Sequence, residues 1–342
     1  MSDAVAVSNI KGRPYGSRPP PTTMQPSLVS RLADAVLMVR PVDFRFNDET
    51  CADNEFQDRP RRSSAEVRTR AAAEFDGMVA RLREEGVTVL VLEKDPEAAV
   101  ETPDAVFPNN WLSTERGGAL LSFPMLAPNR RAERRVEAVA TLLRRHGYHV
   151  SERVEIGDGE PALEGTGSLV IDHRHGTVYA TESRRCDATM FRRFVHARGY
   201  RRGLLFRTAS STGRPIYHTN VMMSVGDGLA VVCAESVVDP TERALLLRSL
   251  SRHHDVVQID RDQMEHAFCG NLLQLRDGRD ESLVAMSRTA HDGFTPAQRR
   301  RLRQHGRLVP VDIPTIEAVG GGSARCMLAE IFLPRSTLAA TG

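Results

Sequence analysis

Aromatic residues are scarce in this chain, and long apolar runs are missing. Phe, Trp and Tyr make up 5% of the 342 residues, with a single Trp. No stretch approaches the roughly 18 uninterrupted apolar residues that a membrane-spanning helix needs, so a transmembrane protein is excluded. The first residues contain no apolar segment of the signal-peptide kind, so the sequence predicts a cytoplasmic protein with no membrane partner.

Cysteine is also sparse, and net charge is nearly absent. Five cysteines at irregular spacing predict reduced thiols rather than a disulfide framework. Neither a CxxC nor an HExxH spacing occurs, so no metal site is predicted, and nothing indicates a cofactor. The net charge of +2 implies no polyanionic partner. The Arg-rich stretch "RRAERRVEAVATLLRRHG" is interpreted as a solvated helix face rather than a nucleic-acid patch.

The remaining composition is that of a soluble globular protein, with 41% hydrophobic and 26% charged residues. Residues 1–33 are rich in Pro, Gly and Ser and show no periodicity, which predicts a flexible leader. We expect residues 34–336 to form one domain. The sequence leaves homo-oligomerisation open.

An internal repeat organises this domain. Apolar runs separated by a polar or Gly-containing turn, which is the pattern of a β-hairpin, begin at residues 109, 167, 220 and 271. Each hairpin precedes an Arg-, Ala- and Leu-rich stretch typical of a helix and then a short strand, as in "DATMFRRFVHARG" followed by "RGLLFRT". The order hairpin, helix, strand therefore recurs four times.

A fifth unit is split between the two ends of the domain. Its hairpin strands are "AVLMVRP" and "CMLAEIFL", and "AAAEFDGMVARLREEG" with "VTVLVLE" supply its helix and last strand. Successive hairpin starts, counting the last near residue 325, are 58, 53, 51 and 54 residues apart. Five similar units that close on each other predict a ring without free sheet edges, that is, a pseudosymmetric α/β propeller.

Residues that can do chemistry lie just before the hairpins, where rotational symmetry would bring them together at the axis. Cys326 follows the Gly-rich "AVGGGSAR", whose glycines permit close backbone approach. His218 and Glu164 lie at matching places in other units. A thiolate nucleophile, an imidazole acid/base and an orienting carboxylate form a general arrangement for covalent catalysis. Cys269 is a rival nucleophile, but it lacks the Gly-rich approach and we interpret it as a packing residue.

These motifs resemble a known superfamily. The set "PDAVFPNNW", "LEGTGS", "YHTN", "GN" and "GGGSARCMLAE" is similar to the guanidino-group-modifying (pentein) enzymes, which include arginine deiminases, dimethylarginine dimethylaminohydrolases and amidinotransferases. The resemblance extends from about residue 35 to 335. Within the superfamily, "FPNNW", "HTNVMMS" and "GGSARCMLAE" look most like the citrulline-utilisation hydrolases, or citrulline ureidases.

The resemblance implies a five-bladed α/β propeller of ββαβ units, with Cys326 as nucleophile, His218 as general acid/base and Glu164 as the carboxylate that orients His218 or the substrate. In deiminases, two carboxylates clamp the guanidinium, whereas the matching positions here are Asn110 and Asn220. An amide both donates and accepts hydrogen bonds and suits a neutral ureido group, whereas a guanidinium has only donors. The presence of amides where deiminases have carboxylates therefore favours citrulline over arginine as the substrate.

The resemblance also extends to "FNDETCADNEFQD", which is similar to the N-terminal substrate loop of that branch, so Asn54 and Gln57 are candidates for binding the amino-acid end of a small-molecule substrate. The expected reaction converts citrulline to ornithine, carbon dioxide and ammonia through an S-carbamoyl enzyme. The alternatives are an arginine dihydrolase or deiminase, a methylated-arginine hydrolase and an amidinotransferase. From a different class, a non-catalytic binding module with the same fold remains open.

Overall fold

The computed structural model describes residues 32–157, 159 and 161–336. The proposed leader, residues 1–33, lies almost wholly outside this range. In the described part of the chain no helix is both long and apolar enough to cross a membrane.

Fifteen strands are present over these residues: β1 (Ala35–Val39), β2 (Thr88–Leu92), β3 (Leu112–Thr114), β4 (Ala119–Ser122), β5 (Glu152–Glu155), β6 (Val170–Asp172), β7 (Thr177–Thr181), β8 (Arg202–Phe206), β9 (Met223–Val225), β10 (Leu229–Val232), β11 (Asp255–Gln258), β12 (Leu273–Arg276), β13 (Ser282–Ser287), β14 (Arg307–Val311) and β15 (Ala329–Glu330).

The same described ranges contain eleven α-helices: α1 (Ser64–Glu84), α2 (Pro128–Arg131), α3 (Val136–Arg145), α4 (Gly165–Ser168), α5 (Ala188–Ala197), α6 (Thr219–Met222), α7 (Pro240–Ser251), α8 (Arg261–Glu265), α9 (Arg288–Gly293), α10 (Pro296–Leu302) and α11 (Pro314–Gly320). Three 3₁₀ turns accompany them: Pro108–Asn110, Ala234–Ser236 and Ala324–Met327.

The strands form five three-stranded sheets with one topology. In each of four units an antiparallel hairpin is followed by a helix and a third strand parallel to its second strand, as in β6–β7–β8. The fifth sheet joins the ends of the domain, because β15 pairs antiparallel with β1, which pairs parallel with β2. The predicted α/β fold class is confirmed, and the five sheets fit the predicted ring.

The central strand of each sheet is almost entirely buried. All side chains of β1, β4, β7 and β10 are buried, which explains their continuous apolar runs.

Helix α1 shows how a helix packs against the sheets. Its buried residues recur at helical spacing from Val67 to Leu82, and a capping box between Ser63 and Glu66 satisfies its first N–H groups.

Short helical turns, and not extended strands, begin four of the five units. The 3₁₀ turn Pro108–Asn110 precedes β3, α4 precedes β6, α6 precedes β9, and Ala324–Met327 precedes β15. The segment "CMLAEIFL" therefore contributes only Ala329–Glu330 to the sheet, less than the sequence predicts. The chain turns at the point where each unit starts, and this turn directs the polar side chains inward.

Candidate active site

Buried polar residues from the starts of several units meet at one place. Helix α4 contacts both α6 and the turn Pro108–Asn110, and that turn contacts Ala324–Met327. Gly167, in α4, lies among them. A Cβ added there would lie 2.4 Å from Asn110 Nδ2 and 2.9 Å from His218 Nδ1, so only glycine leaves this space free. The residues proposed from the sequence are thus neighbours in space.

Cys326 lies against two amide side chains. Asn271 Nδ2 is 3.2 Å and Asn220 Nδ2 is 3.5 Å from its Sγ. Both amides come from other units, and Asn271 Nδ2 also donates to the Asn220 carbonyl oxygen at 2.9 Å. Burial raises the pKa of the Cys326 thiol above its ordinary value, although contacts with the Ser323 backbone, Asn271 and Arg325 oppose this. Burial therefore opposes ionisation of the thiol before substrate binds.

His218 forms a buried pair with Glu164. The His218 Nε2 atom lies 2.8 Å from Glu164 Oε2. Because an ionised carboxylate can only accept, Nε2 carries the proton and Nδ1 is the free nitrogen. Burial lowers the pKa of His218 to about 4, although its hydrogen bond to Glu164 acts in the opposite direction. At neutral pH the imidazole is therefore uncharged, and its Nδ1 atom can accept a proton.

Glu164 remains ionised despite being buried. Burial alone would raise its pKa, but the Arg185 guanidinium, His218 and the Arg130 guanidinium lower the pKa of Glu164 to about 2. Arg185 Nη1 and Arg130 Nη1 lie 3.7 and 3.9 Å from Oε2. The Leu126 N–H also donates to Oε1 at 3.0 Å. Such a carboxylate can stabilise an imidazolium when one forms on His218.

Asn110 is held by Arg130, which begins the stretch that the sequence predicts to be a solvated helix face. Arg130 is 2% exposed, and its Nη1 donates to Asn110 Oδ1 at 2.8 Å. Arg130 also forms a bidentate pair with Glu133, in which Nε donates to Oε1 and Nη2 to Oε2, and its Nε lies 3.9 Å from Asp104 Oδ2. The expected solvated helix face is therefore incorrect at this position. Arg130 belongs to the separate four-residue helix α2, where it turns inward to neutralise buried carboxylates.

The loop between β1 and α1 lies close to the Gly-rich turn before Cys326. Asn54 Nδ2 donates to the Gly320 carbonyl oxygen at 3.2 Å, and Asn54 Oδ1 accepts from the Phe56 N–H. A Cβ added at Gly321 would lie 2.7 Å from both Asn54 Oδ1 and Gln57 Cγ. Gln57 Oε1 accepts from the Thr50 hydroxyl, whereas its Nε2 is buried and has no hydrogen-bond partner among the described residues. The structure thus places both proposed loop residues beside this turn.

The loop and the site are joined by Arg185, which sequence reasoning missed. Arg185 donates two hydrogen bonds to Asp53, at 2.6 and 3.0 Å, and its guanidinium lies over the Tyr217 ring. Tyr217, immediately before His218, donates to the Gly321 carbonyl oxygen at 2.6 Å. No local pattern in the sequence marks Arg185.

Asn271 was also missed from the sequence, although its position at the start of the fourth hairpin is a signal that would have identified it.

Cys269, the rival nucleophile, lies away from this arrangement. It is fully buried in an apolar cluster, where its Sγ donates to the Ala290 carbonyl oxygen at 3.4 Å. Burial raises the pKa of Cys269 to about 12. Its surroundings agree with the interpretation as a packing residue.

Solved structures with the same fold include enzymes of arginine metabolism. The N-terminal domain of ArgZ, a cyanobacterial arginine dihydrolase, in a Cys-to-Ser variant bound to substrate, is 14% identical with a TM-score of 0.66, covering 86% of this chain and 97% of that one. DDAH from Pseudomonas aeruginosa complexed with citrulline is 14% identical with a TM-score of 0.59, covering 88% and 100%. At these identities the likeness establishes the fold alone.

Two further comparisons define how far the similarity extends. AgrE, solved with ornithine and NAD⁺, is 15% identical with a TM-score of 0.65, but the match covers 89% of this chain and only 40% of AgrE. This chain likewise spans 41% of full-length ArgZ. A comparison with curated proteins gives no match.

A family profile covers most of the chain. The profile described as "N,N dimethylarginine dimethylhydrolase, eukaryotic" matches residues 40–333. The match includes the turns that carry Asn110, Glu164, His218 and Cys326. The chain therefore belongs to this family and, as its sequence motifs predict, to the guanidino-group-modifying superfamily of arginine-related hydrolases.

Proposed function

We propose that the protein is a Cys-dependent hydrolase that cleaves citrulline at its ureido carbon and releases ornithine, carbon dioxide and ammonia. The observation that carries the proposal is the pair of amides, Asn220 and Asn271, in contact with the Cys326 sulfur. An amide offers both donors and an acceptor, which match the carbonyl oxygen and N–H groups of a ureido group.

The charge balance around the site supports a neutral reacting group. The buried anions already have cationic partners, since Glu133 and Asp104 lie beside Arg130, and Glu164 lies between Arg130 and Arg185. A guanidinium would enter beside two arginines, and Glu164, the carboxylate that bonds to His218, is already paired with both of them. A ureido group avoids this cost, because burying an unpaired charge is unfavourable.

The chemistry starts from a neutral thiol and a neutral imidazole. His218 accepts the Cys326 proton, and the thiolate attacks the ureido carbon to form a C–S bond. The developing oxyanion receives amide hydrogen bonds from Asn110 and Asn220, each typically worth about 3 kcal/mol of barrier. The C–Nδ bond then breaks, the His218 imidazolium protonates the departing δ-nitrogen, and ornithine leaves an S-carbamoyl enzyme.

Water completes the cycle. His218 removes a proton from the water molecule that attacks the carbamoyl carbon, and Glu164 stabilises the imidazolium formed in this step. Cleavage of the C–S bond releases carbamate and returns the proton to the Cys326 sulfur. Carbamate decomposes to carbon dioxide and ammonia. Both half-reactions thus use the same base and the same carboxylate.

The amino-acid end of the substrate requires a donor and an acceptor. The buried Gln57 Nε2 and Asp104 Oδ1 atoms have no hydrogen-bond partners in the described part of the chain, and Thr50 Oγ1 bonds to the other polar atom of each side chain. We assign Gln57 to the substrate carboxylate and Asp104 to its ammonium group. Both polar ends of Asn54 are engaged, so Asn54 supports the Gly320–Gly321 turn instead.

The test is product analysis with the purified full chain. Citrulline, arginine and dimethylarginine are supplied separately, and ornithine, citrulline, urea, dimethylamine and ammonia are measured. We expect ornithine and ammonia from citrulline without urea. Accumulation of citrulline from arginine would contradict the proposal. Cys326→Ser should abolish turnover while circular dichroism stays unchanged, and retained activity would move the nucleophile elsewhere.

A second candidate is hydrolysis of a methylated arginine, which the family match over residues 40–333 favours. It uses the same Cys326, His218 and Glu164. The two reactions differ in their products, because a methylated arginine would yield citrulline and an alkylamine. Release of dimethylamine at a higher kcat/KM than that for citrulline would establish the second candidate and remove the first.

A further inference from the structure

A separate cluster of three potential ligands lies between the second unit (β6–β8) and the third unit (β9–β11). Asp172 ends β6, His175 lies in the turn before β7, and His254 lies between α7 and β11. The potential ligand atoms of these three residues all lie within 4.8 Å of one another. Asp172 Oδ2 is 2.8 Å from His175 Nδ1 and 3.5 Å from His254 Nε2.

His254 points an unused lone pair into this cluster. Its side chain is 1% exposed, and its Nδ1 lies 3.1 Å from the Leu250 carbonyl oxygen. Because a carbonyl can only accept, Nδ1 carries the proton and Nε2 is a free acceptor. Nε2 has no hydrogen-bond partner in the described chain and faces a carboxylate oxygen. A cation between these two electron-rich atoms, either a proton on Nε2 or a metal ion, would stabilise both.

The other ligands are also oriented in advance. Asp172 Oδ1 accepts the backbone N–H groups of Arg174 and His175, which leaves Oδ2 directed at the histidines. The His175 ring stacks on His253, with 3.8 Å between ring centroids and 6° between planes. Such outer contacts fix ligand orientation in protein metal sites.

We propose that Asp172, His175 and His254 bind a zinc ion and that this ion links the second unit to the third. Imidazole and carboxylate are ordinary zinc ligands. Tetrahedral zinc, with bonds of about 2.0–2.2 Å, separates its ligand atoms by roughly 3.3 Å. The 3.5 Å separation already matches this value. The 2.8 Å contact must open slightly as His175 moves its proton from Nδ1 to Nε2.

Solvent can reach the cluster from the side of His175. The His175 side chain is 25% exposed, so water can complete the tetrahedron. No sequence motif predicts this metal site, because its ligands lie in a hairpin turn and after a helix end, about 80 residues apart in the chain. The fold brings them together.

Zinc binding by the full chain tests the proposal. Protein treated with a chelator and then freed of it is titrated with Zn²⁺ alone by calorimetry, and its Tm is measured with and without Zn²⁺. We expect one bound ion and a rise in Tm of several degrees, since a ligand that binds only the folded state stabilises it. His175→Gln and His254→Gln should each weaken binding at least about tenfold and remove the rise in Tm.

Two controls make the outcome specific. His305→Gln changes a similar histidine, 3.3 Å from Asp255 but outside the cluster, and should bind zinc like the unaltered protein. Cys326→Ser should also retain the ion, whereas loss of zinc in this variant would assign binding to the thiol site and overturn the proposal. Unaltered affinity in His175→Gln, a partly exposed position where misfolding is not expected, would overturn it as well, as would the absence of saturable binding.

Discussion

Replacing Asn220 by Asp changes the charge beside the reacting sulfur with little change in shape. Asn220 is 1% exposed, and its Nδ2 lies 3.5 Å from Cys326 Sγ. The Asn220→Asp carboxylate would be buried against the developing thiolate. It would also suit a cationic guanidinium better than a neutral ureido group.

The magnitude follows from this distance. Two unit charges 3.5 Å apart interact by about 5 kcal/mol at an effective dielectric constant of about 20. Thiolate formation against a neutral substrate therefore becomes strongly unfavourable, and we expect kcat/KM for citrulline to fall at least about 100-fold. A guanidinium regains about 1.5–3 kcal/mol through a charge-assisted hydrogen bond, so the arginine-to-citrulline ratio of kcat/KM should rise about 10- to 100-fold.

The assay measures kcat/KM for both substrates in parallel variants. Asn220→Ala removes the amide without adding charge and should impair both substrates to a similar extent. Asn109→Asp places an anion on a side chain that is also buried but bonds to Asn110 instead of Cys326, and should not invert the preference. An unchanged arginine-to-citrulline ratio in Asn220→Asp would refute the charge argument.

Three further outcomes are expected. The pKa of His218 is lowered to about 4, so kcat/KM for citrulline should stay flat from about pH 8 to pH 5 and fall below it as the base becomes protonated; a break near pH 6.5 in stopped assays would contradict this. Gly167→Ala should reduce kcat by about 100-fold or more, because its Cβ would displace Asn110 Nδ2 and His218 Nδ1, while urea unfolding shows a retained fold. Arg130→Met should lower the free energy of unfolding by about 3–5 kcal/mol, since Glu133 loses its buried partner; a loss below about 1 kcal/mol in urea titrations would show that the pair is dispensable.

Much of the architecture could be predicted because it is repeated locally. Each hairpin, helix and strand is a short pattern, and the recurrence of one order at a nearly constant spacing identifies the units. The split fifth unit follows from the same order, and the pairing of β1 with β15 confirms it. Cys326, His218, Glu164 and Asn220 could be singled out because they occupy similar places in successive units.

The partners of these residues could not be predicted in the same way. Arg130 and Arg185 contact Glu164 across 34 and 21 residues of sequence, and no periodicity marks either arginine. Periodicity reports which face of a helix is apolar, but it does not identify a four-residue helix such as α2 that turns a charge inward. The internal repeat could have identified Asn271, which begins the fourth hairpin. It was missed because its segment contains no titratable residue besides Cys269.

The sequence by itself determined the five units, the order of their elements and which residues begin each unit, because these depend on apolar periodicity and turn chemistry within short segments. Only the tertiary structure decided which of those residues touch. In the folded chain two amides contact Cys326, two arginines lie beside Glu164, and Asp172 and His175 lie near His254. These contacts join distant segments, and their charges and pKa values depend on burial, which exists only once the chain has folded.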